Sequence, residues 1–153
     1  MGKNVWKWEK RVFQGSSALT LDAKGRMTIP ARHRDALADQ VAGRLTLTRH
    51  PDGCLLVYPR TVWEQKREQI ANFPMSARPL QRLLLGSAQD VDMDGAGRIL
   101  IAPELRAAVG LTRDAMLLGM ASHFELWDAA EWARREAEDL AKGMPAALEQ
   151  FSF

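Results

Sequence analysis

The sequence contains one phrase twice. Asp22-Ala23-Lys24-Gly25-Arg26-Met27-Thr28-Ile29-Pro30-Ala31-Arg32-His33-Arg34 returns 72 residues later, without a gap, as Asp94-Gly95-Ala96-Gly97-Arg98-Ile99-Leu100-Ile101-Ala102-Pro103-Glu104-Leu105-Arg106. Asp, Gly, Arg, Ile and the final Arg are identical. The likeness runs on. Arg44-Leu45-Thr46-Leu47-Thr48 answers Ala115-Met116-Leu117-Leu118-Gly119, and Leu56-Val57-Tyr58 answers Glu125-Leu126-Trp127. Trp63 and Trp132 each stand five residues beyond those aromatics. A unit of roughly 60–70 residues used twice constrains fold and symmetry together. Each unit is near the size at which a core alone is marginal, so the halves are expected to pack on each other or on further subunits.

Each unit reads as β-rich. Ser17–Leu21 alternates like a strand, Asp22–Gly25 has turn composition, and Arg26–Ile29 reads as the returning strand. The plain expectation is a β-hairpin with Lys24 and Arg26 at its tip. Pro30 ends the strand and pre-sets φ for a helix over 31–38. The second unit repeats this plan with a strand over 89–93, a turn over 94–97, a return over 98–101, and a helix from Pro103 that stops at Gly110. A helix after Pro59 carries a capping-box pair, Thr61 and Glu64, with Val62, Trp63, Ile70 and Phe73 as its apolar positions. Asp128 and Glu131 form a like pair before Trp132, Ala133, Ala137 and Leu140. The Pro-rich stretch 72–79 and a short helix over 80–85 join the units. The resulting division is an extension over 1–12, repeats over 13–72 and 87–142, a linker with a short helix over 73–86, and a loose tail over 143–153.

Charge is unevenly spread. Residues 1–34 hold eight Lys/Arg against two Asp/Glu, and the rest hold thirteen against seventeen, within a net charge of +2. A basic end suits a polyanion or is an ordinary solvated surface. The Asp-x-x-Gly-Arg tip has the same two readings. Asp can cap the turn amides, Gly supply positive φ and Arg pair with Asp; the Arg fork can also clamp phosphate or guanine. Trp6 and Trp8, among lysines, fit either a nucleic-acid or membrane-surface role or a leader outside the fold.

Other chemistry has little support. Asp90-Val91-Asp92-Met93-Asp94-Gly95 opens like an EF-hand loop, but its twelfth position is Ile101 and its flanks read as strands. His33, His50 and His123 are dispersed, and neither a metal-ligand spacing nor a nucleophile motif accompanies them. No cofactor, metal or catalytic residue is expected, so the chain does not read as an enzyme. No apolar run approaches about 18 residues. Cys54 is the only cysteine, next to an apolar strand, which points to a reduced, cytoplasmic thiol. Tyr58, Trp63, Trp127 and Trp132 are expected in the core or an interface.

Phe13-x-Gly15, the first phrase, Gln81-Arg82-Leu83-Leu84-Leu85-Gly86 and Met93–Pro103 together resemble the MraZ family, bacterial regulators related to the AbrB-type fold. The resemblance spans about residues 12–142. It implies two interlaced AbrB-like repeats forming a double-split, swapped-hairpin β-barrel with flanking helices. It implies ring-shaped homo-oligomers, in the cytoplasm and on the nucleoid, that bind repeated boxes in double-stranded promoter DNA. The implied task is control, mainly repression, of the cell-division and cell-wall cluster that includes the regulator's own gene. Carried over, the DNA contacts are Lys24, Arg26, Arg32 and Arg34 in the first copy, with Arg98 and Arg106 in the second. Ala96 and Glu104 replace Lys24 and Arg32 there. Asp22, Gly25, Pro30, Asp94, Gly97 and Pro103 are the matching turn and exit residues. Family members begin near Phe13-x-Gly15, and Val12 is a residue a GUG start can encode, so residues 1–11 reflect either a start-site choice or a cloning decision. The rival role is an antitoxin-like protein-interaction scaffold, for which only 143–153 offers a segment to fold on a partner.

Overall fold

The structure is a computed structural model and describes residues 12–153. The basic stretch with Trp6 and Trp8 lies outside the described residues.

The first repeat runs β1 (Ser16–Thr20), β2 (Arg26–Thr28), α1 (Ala31–Val41), β3 (Arg44–Arg49), β4 (Leu55–Pro59) and α2 (Arg60–Ala71). A single 3-10 turn (Met75–Ala77) and α3 (Arg78–Gly86) follow. The second repeat runs β5 (Gln89–Asp92), β6 (Arg98–Leu100), α4 (Pro103–Ala108), β7 (Asp114–Gly119), β8 (Phe124–Asp128) and α5 (Ala129–Ala141). The tail, expected to be loose, holds one 3-10 turn (Ala146–Leu148).

The main sheet has six antiparallel strands in the order β1-β7-β8-β4-β3-β5. β2 and β6 form a separate two-stranded ribbon. The expected hairpins close at their turns, where the Asp22 N–H donates to the Arg26 carbonyl (2.9 Å) and the Asp94 N–H to the Arg98 carbonyl (2.9 Å). Their arms then part. β1 pairs with β7, β5 with β3, and β2 with β6, so every arm finds its partner in the other repeat. A simple hairpin is therefore corrected. The reason lies in the apolar faces: Leu21, Met27 and Ile29 enter one core with Ile99, Ile101, Leu105, Leu117 and Phe124 from the other copy. One joint core removes more apolar surface from water than two of half the size.

Local details differ from the sequence expectation in instructive ways. Pro30 and Pro59 sit just before their helices with extended ψ (140° and 138°), so α2 starts at Arg60 and Thr61 makes no cap bond. Asp128 does cap α5, accepting from the Glu131 N–H at 3.1 Å. α1 runs past Ala38 to Val41 and ends at Ala42, which takes φ +54°, and Gly43 donates back to the Leu37 carbonyl. Tyr58, Trp63 and Trp127 are buried, and Trp132 is half-buried against Trp127 at 5.4 Å. Cys54 is buried, and burial first, then Glu125 and Asp52, pushes its thiol well above the usual range. A second cluster under α2 comprises Leu56, Tyr58, Trp63 and Ile70, and Leu84 and Leu85 of α3 cover it in part. α3 and α5 themselves bury no residue.

Candidate nucleic-acid interface

Both turns are built alike. The Asp22 carboxylate accepts from the Lys24 and Arg26 backbone N–H groups (3.0 and 2.9 Å) and from Arg26 Nε (2.7 Å). Asp94 does the same with Ala96 N–H (2.9 Å), Arg98 N–H (2.8 Å) and Arg98 Nε (2.9 Å). Gly25 and Gly97 close the turns at φ +82° and +79°, conformations that glycine adopts without a Cβ penalty. The N–H bond from Arg26, with the guanidinium and the Lys24 N–H adding to it, holds the Asp22 carboxyl below the usual carboxylate range. Arg98 and Ala96 act likewise on Asp94. An aspartate that accepts from the turn amides, a glycine at positive φ and an Arg–Asp pair are thus present at both turns.

Pairing with Asp does not exhaust the arginines. In the ribbon Arg26 faces Leu100 and Thr28 faces Arg98. Strand alternation then turns Met27 and Ile99, each 1% exposed, into the core. The other face presents Arg26, Thr28, Arg98 and Leu100, with Leu100 at 51% exposure. Arg26 and Arg98 are diagonal neighbours across the strand pair, a relation that separates side chains by roughly 7–8 Å. Among the described residues their Nη atoms have no partner, while Nε is fixed by the aspartate. The two tips therefore make one surface with two oriented forks. A β-ribbon of this width fits a major groove, where such a fork matches guanine O6 and N7.

The remaining cations are placed differently. Lys24 lies at the exposed apex of the first turn. Arg32 lies along β1, where Nη2 donates to Ser17 Oγ (2.7 Å) and Nε to His33 Nε2 (3.1 Å). His33 is buried between Phe13 and Phe124, and burial, then the Arg32 charge, lowers its proton affinity. Arg34 and Arg106 are partly buried, and their Nε atoms donate to the carbonyls of Ile29 (2.9 Å) and Ile101 (3.0 Å). Two groups escape sequence reading. Arg113 joins Arg106, Thr20 and Asp22 around an open cleft of about 630 Å³ beside the first tip, through the β1–β7 register. Arg60 reaches Asp90 and Asp92 (both 3.5 Å) and so offsets the acidic approach to the second tip. Among the described residues no three His, Cys, Asp or Glu side chains cluster to hold a metal, and no helix is long and apolar enough to cross a membrane.

Comparison with known proteins gives a family to this arrangement. The family described as "MraZ protein, putative antitoxin-like" matches twice, over residues 12–85 and 84–150. The chain belongs to the MraZ family. The relative from Bordetella pertussis, named "Transcriptional regulator MraZ", is 79% identical over 142 residues, covering 93% of this chain and all of the relative. Proteins of the same name from Herminiimonas arsenicoxydans and Cupriavidus pinatubonensis are 67% and 62% identical over the same share of each chain. The double match of the MraZ profile follows the doubled phrase, one copy of the tip in each matched segment.

Proposed function

We propose that the protein is a DNA-binding transcriptional regulator, mainly a repressor, of the cell-division and cell-wall gene cluster, acting on repeated boxes upstream of its own operon. The observation that carries this reading is the ribbon face, on which Arg26 and Arg98 are both buttressed by an aspartate and aimed outward. The names of the relatives support the regulatory class. Lys24, Arg26 and Arg98 are the groups that meet DNA directly. Arg32, Arg34 and Arg106 stand behind them, each bound to the protein's own backbone or side chains.

One ribbon makes few contacts, and non-specific protein–DNA affinity is only about 10⁻⁴–10⁻⁶ M. Several ribbons joined in a ring would raise the effective affinity by about 10²–10⁴-fold where their spacing matches repeated boxes. α3 and α5, which bury no residue while exposing Leu80 and Leu140, supply apolar faces for such a homo-oligomer. The exchange of strands between repeats supports the reading of the fold as a double-split, swapped-hairpin barrel. A regulator of this kind works in the cytoplasm, on the nucleoid.

A gel-shift titration on DNA from upstream of the protein's own gene, repeated across salt concentrations, tests the proposal. Arg26→Ala should abolish specific binding while leaving the oligomer intact by size-exclusion chromatography. Arg98→Ala should cause a smaller loss, because its copy lacks a counterpart to Lys24. Undiminished, salt-sensitive operator binding by Arg26→Ala would overturn the assignment. The antitoxin-like description favours a second reading, a protein partner, which predicts no shift of the operator DNA at all.

A further inference from the structure

Each turn glycine has a second reason to be glycine, and it comes from the other repeat. A Cβ on Gly25 would stand 2.6 Å from Arg106 Cζ and 2.7 Å from its Nε. A Cβ on Gly97 would stand 2.3 Å from Arg34 Cδ and 2.6 Å from its Nε. The arginine that closes each phrase therefore fills the place of the missing side chain in the opposite phrase. The same arginine also ties a loop of hydrogen bonds. The Ile29 N–H donates to the Gly97 carbonyl (2.8 Å), and the Ile29 carbonyl accepts from Arg34 Nε (2.9 Å). Ile101, Gly25 and Arg106 repeat the loop at 3.0 Å for both bonds.

We propose that Arg34 and Arg106 are reciprocal positioning residues. Arg106, from α4 of the second repeat, holds the first turn and so aims Arg26. Arg34, from α1 of the first repeat, holds the second turn and so aims Arg98. An arginine side chain packed on a glycine Cα blocks the turn from rolling, and its bond to the neighbouring strand end fixes the ribbon's edge. The consequence at DNA rests on the function proposed above; the crossed mechanical coupling does not.

Amide hydrogen exchange on the full-length protein, read residue by residue by NMR or mass spectrometry, tests the coupling without DNA. Arg106→Met keeps an apolar stem but loses the planar donor. It should speed exchange about tenfold at Lys24, Gly25 and Arg26, because the turn loses the guanidinium packed on Gly25, and leave Ala96, Gly97 and Arg98 unchanged. Arg34→Met should do the reverse. If either methionine variant fails to fold, Arg106→Lys carries the test with a smaller acceleration at the same three amides. Uniform acceleration throughout the chain would indicate general loss of stability and overturn the proposal, as would acceleration at the turn of the variant's own repeat in place of the opposite turn, or no change at either turn. At the operator, Arg106→Met should weaken binding without altering its salt slope and should have no further effect once Arg26→Ala is present. A salt slope reduced by about one ion would make Arg106 a phosphate contact instead. Crossed exchange together with intact operator binding by Arg26→Ala would remove the DNA reading and leave the coupling standing.

Discussion

Replacing Gly97 by alanine separates two physical terms that the turn combines. The first is backbone strain. Gly97 has φ +79°, and placing an L-residue in the left-handed region costs roughly 1–2 kcal/mol. The second is displacement of Arg34, whose Cδ would lie 2.3 Å from the new methyl. Moving that stem breaks the Nε bond to the Ile29 carbonyl. Such a charged bond is worth about 1.5–3 kcal/mol when well shielded, and we take the lower part of that range because Arg34 is only partly buried. Alanine also stiffens the unfolded chain, which returns about 0.4–1 kcal/mol. The expected net cost is about 2–3 kcal/mol. Gly110 supplies the control. It has φ +67° and nothing within 4 Å of where a methyl would stand, so Gly110→Ala should cost only about 1 kcal/mol. Urea unfolding followed by tryptophan fluorescence measures both, at one fixed subunit concentration because association shifts apparent stability. In an Arg34→Ala background the two glycine substitutions should cost the same. Equal costs in the wild-type chain would refute the arginine contact.

Two further outcomes follow from the core and its histidines. Phe124 is fully buried, with its ring 4.5 Å from Phe13 and 5.0 Å from His33, so Phe124→Ala should lower stability by about 3–5 kcal/mol in the same urea assay. His33 and His123 have proton affinities below the ordinary value of 6.5, burial being the leading cause for both. The unfolded chain therefore binds protons first as pH falls. Stability should be level above about pH 6.5 and decline below it, towards the lower folded-state values. His33→Gln should flatten that decline. A urea midpoint unchanged between about pH 7.5 and about pH 5.5 would contradict the lowered proton affinity of the two rings.

The elements were legible wherever local chemistry sets them. The turns at Asp22–Gly25 and Asp94–Gly97 follow from Asp and Gly at fixed offsets, and α5 begins at the Asp128 cap. Pairing was not legible in the periodicity, because a strand such as Ser16–Thr20 offers the same alternation to any neighbour; interlacing of the repeats came only with the family resemblance. Only the register with β7, Ser16 facing Leu118, decides it. The capping pair at Thr61 failed for a local reason: α2 opens at Arg60, so Thr61 is already inside the first turn. At the candidate site, the buttress of each Arg by its Asp was among the readings the motif allowed. The meeting of Arg26 with Arg98 on one ribbon, and of each closing arginine with the opposite glycine, depends on contacts about 70 residues apart in sequence. Periodicity carries no information about such contacts.

Strand exchange also sets a clock on synthesis. β1 is complete once residue 20 has been added, yet its partner β7 ends at Gly119, and β2 waits for Leu100. At roughly 5–20 residues per second, the first strand stays without its native neighbour for about 5–20 s after it leaves the ribosome. β3 and β4 face no such wait, since they pair with each other. The nascent chain thus carries a finished inner hairpin beside an orphan arm. Neighbouring ribosomes on one message display the same orphan arm in close proximity, and the matched β7 of another chain is a physically equivalent acceptor for it.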